Sequence, residues 1–346
     1  MIEFGSDFHY IEPSSCQKNT VYDLFPNANY YADGRQALIH LYQTQGWERL
    51  WVPEFFCYDV IETLKDAGMA LLYYADFPGY EDDSLTLKRI QQRGLFHSKD
   101  AILRVNYFGL RSVRSSDNYS VAAIVEDHSH DLLGTWAQYS EADWCIASLR
   151  KTLPIPEGGI LWSPKKHQLP EPPTFDSNNE VIATERWKAM HLKAQYLAGN
   201  DIDKSSFRSI FVTTESFFES APICLLDRQS QDYLRGFDIK NWYLQKKENW
   251  NILREIKKPG VHVLESESIG GYPFSLVLLF NFHADRDRVR AALIENMVYP
   301  AILWNVPAPT EGAIYQMSRG ILSIHCDSRY KYDDILQMKS IIESVL

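Results

Sequence analysis

The side chain with the clearest chemical potential is a lysine that follows a short apolar strand. Trp144 to Ala147 has the pattern of a buried strand, and Ser148-Leu149-Arg150-Lys151 comes directly after it. A lysine beside a cavity, with its pKa lowered by burial and neighbouring cations, can form a Schiff base with a carbonyl compound. A serine three residues earlier can bind a phosphate group of that compound. Taken alone, however, the pattern favours a surface lysine after a strand.

A carboxylate follows a second apolar strand. Val121 to Val125 runs into Glu126-Asp127-His128-Ser129-His130. A carboxylate at such a strand end can pair with the protonated pyridine nitrogen of pyridoxal phosphate (PLP), and this charge-assisted hydrogen bond keeps the ring an acceptor of electrons. Asp127 can also be the N-cap of the next helix, and His130 can be a structural histidine. When this motif is considered by itself, the interpretation of Asp127 as a helix N-cap is the stronger one.

A glycine lies at the start of a predicted helix. Ala32-Asp33-Gly34-Arg35-Gln36-Ala37 leads into a helical pattern that extends from Arg35 to Gln45. Free backbone N–H groups and the positive end of the helix dipole bind phosphate at such a position. A plain helix start with Asp33 as its N-cap explains the same residues.

The elements that position these residues alternate between strand and helix. Alternating patterns from about Tyr31 to Trp162 predict an α/β fold, with a mostly parallel central sheet and helices on both faces. Ligands of such sheets bind beyond the carboxyl ends of the strands, where the lysine and the aspartate lie. After Lys258-Pro259-Gly260 the pattern indicates a smaller α+β domain. We predict a large domain over residues 1–240, with the N-terminal segment, and a C-terminal domain over 241–346.

The predicted elements are short. The predicted strands are Leu50 to Pro53, Met69 to Ala75, Ile102 to Tyr107, Val121 to Val125, Trp144 to Ala147, Gly158 to Trp162, Val261 to Leu264, Ser275 to Phe280 and Ile321 to Ile324. The predicted helices are Arg35 to Gln45, Asp59 to Ala67, Val181 to Leu197, Asp227 to Asn251, Asp285 to Asn296 and Tyr332 to Val345.

Composition excludes several classes of function. The 346 residues carry a net charge of -10, so no basic footprint for nucleic acid is expected. The five cysteines have no zinc-ligand spacing, and we predict free thiols in a reducing compartment and no metal site. The first ten residues lack the pattern of a signal peptide, and no apolar run is long enough to span a bilayer. The sequence therefore predicts a cytoplasmic protein with no membrane partner.

The order of these motifs resembles the DegT/DnrJ/EryC1/StrS family of sugar aminotransferases, which are fold-type-I PLP-dependent enzymes with the aspartate aminotransferase fold. The resemblance extends from about Tyr31 to the C-terminus. No single motif is specific, but their joint order is. It is carried by Asp33 to Leu38, Leu50 to Cys57, Val105 to Gly109, Glu126 to His130, Ser148 to Gly159 and Ile321 to Tyr330.

The resemblance implies a role for each matched residue. Lys151 matches the Schiff-base lysine, which also moves a proton during transamination, and Asp127 matches the partner of the pyridine nitrogen. His130 matches a residue near the 3′-hydroxyl of PLP. The phosphate-binding residues match Gly34, Arg35 and Ser148. The ring-stacking position falls on Cys57, where relatives often carry an aromatic residue, so Phe56 or Tyr58 are alternatives.

The resemblance further implies an activity and partners. An amino group would pass from an amino acid donor to a keto-sugar or another keto acceptor, in a homodimer with shared active sites. Candidate substrate contacts are Arg329, Arg319, Trp304 and Asn305, for which surface ion pairs or core packing are the alternatives. Two other functions stay open: a PLP-binding regulatory or non-catalytic member of the fold, and a scaffold protein without PLP.

Overall fold

The structure is a computed structural model that describes residues 2–13, 18–80, 83–115, 122–267, 270–307 and 312–346. Cys16 and Val121, which the sequence predicts as a free thiol and as the first residue of a strand, lie outside these ranges. The described strands are β1 Phe4–Gly5, β2 Asn29–Tyr31, β3 Arg49–Pro53, β4 Leu71–Tyr74, β5 Asp100–Val105, β6 Ala123–Asp127, β7 Trp144–Ser148, β8 Gly159–Trp162, β9 Val261–Val263, β10 Ser275–Phe280, β11 Val298–Tyr299 and β12 Ile321–His325.

The helices alternate with these strands along the chain. They are α1 Val21–Leu24, α2 Gly34–Gln45, α3 Tyr58–Asp66, α4 Asp83–Gln92, α5 Thr135–Gln138, α6 Ser177–Leu197, α7 Lys204–Glu215, α8 Phe217–Ser220, α9 Arg228–Arg235, α10 Ile239–Leu253, α11 His283–Glu295, α12 Gly312–Gly320 and α13 Tyr332–Val345. No helix within the described ranges combines the length and the apolar character that a membrane crossing needs.

The central sheet of the described residues has the order β2-β8-β7-β6-β5-β3-β4. The strands from β7 to β4 are parallel, whereas β8 is antiparallel to both of its neighbours. Buried apolar side chains pack on both faces, among them Leu38 of α2 on one side and Trp187 of α6 on the other. The prediction of a mostly parallel sheet with helices on both faces is therefore confirmed.

A second, antiparallel sheet of order β12-β10-β9 forms after α10, and β1 pairs with β11 beside it. Helix α10 runs through the predicted domain boundary at 240/241, so that boundary stays a prediction. The prediction that Asp227 to Asn251 is mostly helix is confirmed, and the structure divides this stretch into α9 and α10. Gly236 is the C-cap of α9, and the side chain of Asp238 caps α10 by accepting a hydrogen bond from Asn241 N.

The strand register brings the predicted motifs to one edge of the sheet. Asp127 at the end of β6 lies beside Ile146 of β7, two residues before Ser148. On the other side of β7, Ser148 pairs with Gly159 of β8, and Gly159 pairs with Tyr31 of β2. Since β2 leads directly into α2, the start of this helix lies next to the end of β7.

Candidate active site

One cavity of about 580 Å³ lies at this edge of the central sheet. Its walls come from the ends of β6 and β7, the start of α2, the segment after β11, and the N-terminal segment Ser6 to Phe8. Eight of the eleven predicted site residues line it: Gly34, Arg35, Cys57, Asp127, His130, Ser148, Lys151 and Trp304. Residues that are far apart in sequence therefore meet around one space.

Lys151 lies in a single 3-10 turn, Leu149–Lys151, that follows β7. Leu149 N fixes this turn by donating a hydrogen bond of 2.8 Å to Gly158 O. The ammonium group of Lys151 lies 5.6 Å from the centre of the Trp304 ring, and within the described chain it makes no hydrogen bond or ion pair. A half-buried amine held against an aromatic wall can react with a carbonyl group in the cavity.

Asp127 ends β6 with its carboxylate lining the cavity. Its Oδ1 accepts a hydrogen bond of 2.8 Å from Ser129 N, while Oδ2 has no hydrogen-bond partner in the described residues. Asp127 is 8% exposed, so a cationic N–H group in the cavity would form a strong, charge-assisted bond with this oxygen. Asp127 and Lys151 line the same cavity, as the PLP hypothesis requires.

His130 forms part of an aromatic layer behind these two residues. Its ring is stacked on Phe274 at 4.5 Å and on Trp304 at 5.6 Å. Burial and the nearby ammonium of Lys151 hold the pKa of His130 well below its usual value, so the ring is neutral. Because Nδ1 accepts a hydrogen bond from Phe108 N, the proton of the neutral ring lies on Nε2.

Glu126 and His128, which flank Asp127 in the sequence, lie on the opposite face of the sheet from the cavity, because side chains alternate along an extended chain. There the carboxylate of Glu126 lies 3.1 Å from His128 Nε2 and 3.9 Å from a guanidinium nitrogen of Arg104, and Ser140 donates a hydrogen bond to it. Glu126, His128 and Cys145 could each offer one ligand atom to a metal ion. The adjacent arginine already supplies the counter-charge, so we interpret this cluster as structural.

The start of α2 and the end of β7 form the predicted phosphate cradle. Asp33 caps the helix by accepting a hydrogen bond from Gln36 N. A side chain at Gly34 would crowd Ser148, whose backbone lies 3.1–3.2 Å from the position of a Cβ there. The Ser148 hydroxyl makes no hydrogen bond within the described chain. Arg35 points away towards Asp33 and Thr63, so it offers the cradle its backbone N–H group.

Because the backbone is closely packed around Gly159 beside the phosphate cradle, we expect Gly159→Ala to lower the free energy of unfolding. A Cβ there would overlap the carbonyl group of Asp33 and lie 2.7 Å from Gly34 N. Overpacking of this kind costs about 1–3 kcal/mol, which urea denaturation would measure. Gly236→Ala is the matched control, since a Cβ there meets nothing closer than 3.8 Å and φ is -107°. Equal stability of the two variants would contradict the predicted close contact.

Two of the three candidates for the ring-stacking position reach the cavity. Cys57, the N-cap residue of α3, and Phe56 both line it. Phe56 is buried against Trp304, with ring centres 5.8 Å apart, whereas the thiol of Cys57 is half-buried. Tyr58 instead directs its hydroxyl to the carbonyl of Glu54 and does not line the cavity.

Three of the predicted substrate-contact residues are not among the described residues that line the cavity. Arg329 is bound to the carboxylate of Asp327 at 2.8 and 2.9 Å and donates a hydrogen bond to the carbonyl of Asp7. Asn305 is exposed to solvent. Arg319 lies at a separate surface pocket near Phe282. The structure thus gives Arg329 the role of holding the N-terminal segment.

Sequence reasoning missed several charged residues of the cavity wall, among them Arg150, Arg186 and Glu215. A signal for Arg186 exists in α6, where residues 179, 183, 186, 190 and 193 form one buried stripe. An arginine on such a stripe must have a specific partner, because burying an unpaired charge is costly. No comparable signal in the sequence identifies Glu215 as that partner.

Comparisons with known proteins agree with this architecture. No protein-family model matches the chain, and no curated protein matches it. Solved structures do match. PseC of Helicobacter pylori, an aminotransferase involved in the biosynthesis of pseudoaminic acid, has a TM-score of 0.62 and 14% identity, with 99% of each chain covered. This chain has the fold of the DegT-type aminotransferases.

Two further structures have the same fold. A DegT DnrJ EryC1 StrS aminotransferase from Brucella abortus has a TM-score of 0.58 and 14% identity, covering 93% of this chain and 87% of its own. Spr1654 from Streptococcus pneumoniae, in its PLP form, has a TM-score of 0.61 and 13% identity, covering 94% of this chain and 89% of its own. The fold that the resemblance implied is confirmed, and the activity depends on the residues of the cavity.

Proposed function

We propose that the protein is a PLP-dependent aminotransferase that moves an amino group from an amino acid donor to a keto-sugar or another keto compound. One observation carries the proposal: Lys151, Asp127 and Ser148 line one cavity, and each has an atom without a hydrogen-bond partner in the described chain. An amine, a carboxylate and a hydroxyl beside a helix start match the aldehyde, ring nitrogen and phosphate of PLP. The shared fold with Spr1654, solved in PLP and PMP forms, supports it.

PLP, when bound, supplies an aldehyde that takes up an amino group and a ring that accepts electrons from the bonds at the substrate carbon. Lys151 would hold the cofactor through Nζ and, once displaced by the donor amine, would move a proton as general base and acid. Asp127 would keep the ring nitrogen protonated through Oδ2. His130, neutral and protonated at Nε2, can donate a hydrogen bond to the 3′-oxygen.

The cavity also has to hold the cofactor's phosphate and keep water from the reacting atoms. The N–H groups at the start of α2 and the hydroxyl of Ser148 would bind the phosphate, and the positive end of the helix dipole favours its charge. Phe56, Trp304 and Phe274 are buried in the aromatic wall and reduce the access of water to Lys151. Water exclusion strengthens the ionic contacts within the site. Homodimer formation and a cytoplasmic location stay predictions from the sequence.

The direct test is to add PLP to the purified protein and record its absorbance. The proposal predicts a yellow protein whose long-wavelength band is lost when an amino donor such as glutamate is added and returns with a keto acceptor. A panel of donors and keto compounds then identifies the substrates. Protein that remains colourless with PLP would refute the proposal, and uptake without turnover of any donor would favour the non-catalytic alternative.

A further inference from the structure

Two arginines share one carboxylate on the wall of the cavity. Arg150 donates to both oxygens of Glu215, at 2.7 and 3.3 Å, and Arg186 Nη1 lies 3.1 Å from one of them. All three residues line the cavity, on the side formed by α6, α7 and the lysine turn. Two positive charges and one negative charge are in direct contact, so one positive charge is not neutralised within this cluster.

The arginines are fixed in place. Both guanidinium groups lie about 5 Å from the Phe218 ring, and Arg186 also donates to the carbonyl of Pro156 and to Thr214. The side chains of Arg150 and Arg186 are 22% and 4% exposed. Nη2 of Arg186 makes no hydrogen bond in the described residues, so the pair retains capacity for a further acceptor.

The side chain of Glu215, by contrast, can move out of its contact with the two arginines. It is 46% exposed, and Glu215 is the last residue of α7, where the helix ends at Ser216. A carboxylate with this exposure gains hydration when it turns out into water. This hydration offsets part of the attraction to the two arginines, which lowers the pKa of Glu215.

Other charged groups around the pair do not neutralise it. Asp33 lies near Arg150 but is paired with Arg35. Asp7 lies near both arginines without a hydrogen bond to either in the described chain, and its exposure allows solvent to screen it. The amine of Lys193 bonds the carbonyl of Asp7. The local excess of positive charge therefore favours an additional anion.

We propose that Arg150 and Arg186 form an oxyanion subsite that Glu215 fills in the free protein, and that a carboxylate or phosphate group of the substrate displaces Glu215 from it. Arginine forks bind both kinds of oxyanion through paired N–H groups. The subsite is distinct from the cradle at Gly34 and Ser148. The binding of substrate at this subsite rests on the proposed function. The binding of anions there does not depend on that function.

The test uses calorimetric titration of PLP-loaded protein, in which the cofactor's phosphate fills the cradle. Inorganic pyrophosphate probes a phosphate-bearing substrate, and succinate probes a carboxylate-bearing one. We expect Glu215→Gln to bind at least one probe about tenfold more tightly than the unaltered protein, because it removes the competing charge. Arg150→Gln should bind the same probe at least about tenfold more weakly.

Glu185→Gln is the matched control, because its side chain is 44% exposed and pairs with Lys188 on the outer side of α6. Its affinity for both probes should stay within about twofold of the unaltered protein. Tighter binding of pyrophosphate alone assigns the subsite to a phosphate, and tighter binding of succinate alone assigns it to a carboxylate. Unchanged or weaker binding of both probes by Glu215→Gln would overturn the subsite.

The anion-binding test of the arginine pair can be interpreted whether or not the proposed aminotransferase function is correct. If the protein takes up no PLP, the aminotransferase proposal fails. The same comparison of Glu215→Gln with Glu185→Gln on the cofactor-free chain still decides whether the arginine pair binds anions.

Discussion

Replacing Lys151 with alanine is expected to abolish transamination while leaving the fold intact. The side chain is half-buried and lines the cavity without a hydrogen bond or ion pair in the described chain, so its removal breaks neither and loses the contact with the Trp304 ring. The variant loses both the covalent attachment of the cofactor and the base that moves the proton. Losses of the principal reacting group are of the order of 10⁴-fold or more in kcat.

The experiment compares kcat, the absorbance band with PLP and the thermal unfolding temperature. Lys188→Ala is the control, because this lysine is 60% exposed and pairs only with Glu185 on the surface of α6. We expect Lys188→Ala to match the unaltered protein in all three measurements. Activity above about a tenth of normal in Lys151→Ala would exclude Lys151 as the reacting amine.

Asp127→Asn is expected to cause the second largest loss of activity. Asparagine has nearly the same shape, and its amide oxygen can still accept the hydrogen bond from Ser129 N. It lacks the negative charge that keeps a pyridine nitrogen protonated, so the ring of the cofactor would become a weaker electron acceptor. We expect kcat to fall on the order of 100-fold, while PLP still binds through Lys151.

Comparing the kcat of Asp127→Asn with that of a control variant distinguishes a catalytic carboxylate from a structural one. Asp232→Asn serves as the control, because Asp232 is 76% exposed and pairs with Arg235 on the surface of α9. It should change kcat by less than about twofold. If Asp127→Asn kept normal kcat, the carboxylate would serve only its structural hydrogen bond with Ser129 N. The helix cap that the sequence left open as the alternative does not form, because the N-cap of α5 is Gly134.

Much of the fold could be predicted because local patterns and the architecture agree. The strand Ser275–Phe280 and the helix Tyr332–Val345 have the predicted bounds, since a continuous apolar run and a helical stripe are local properties. The edge strand Asn29–Tyr31 was missed, because three residues have no detectable period. The break at Gly236 was missed because the helical pattern continues across it.

The central part of the site could be predicted for a similar reason. Asp127 and Lys151 lie at the ends of adjacent parallel strands, and this architecture brings such ends together. The contact of Arg186 could not be predicted, because its partner Glu215 is distant in sequence. Arg329 pairs with its neighbour Asp327 and holds the N-terminal segment, whereas Arg186 meets Glu215 only through the packing of α6 on α7.

The amine of Lys151 is expected to hold the cofactor. The most direct measurement is borohydride reduction of the PLP-treated protein, followed by proteolysis and mass spectrometry of the peptides. We expect a phosphopyridoxyl group on Lys151 and none on the surface lysines. Label on another lysine, or no label at all, would contradict it.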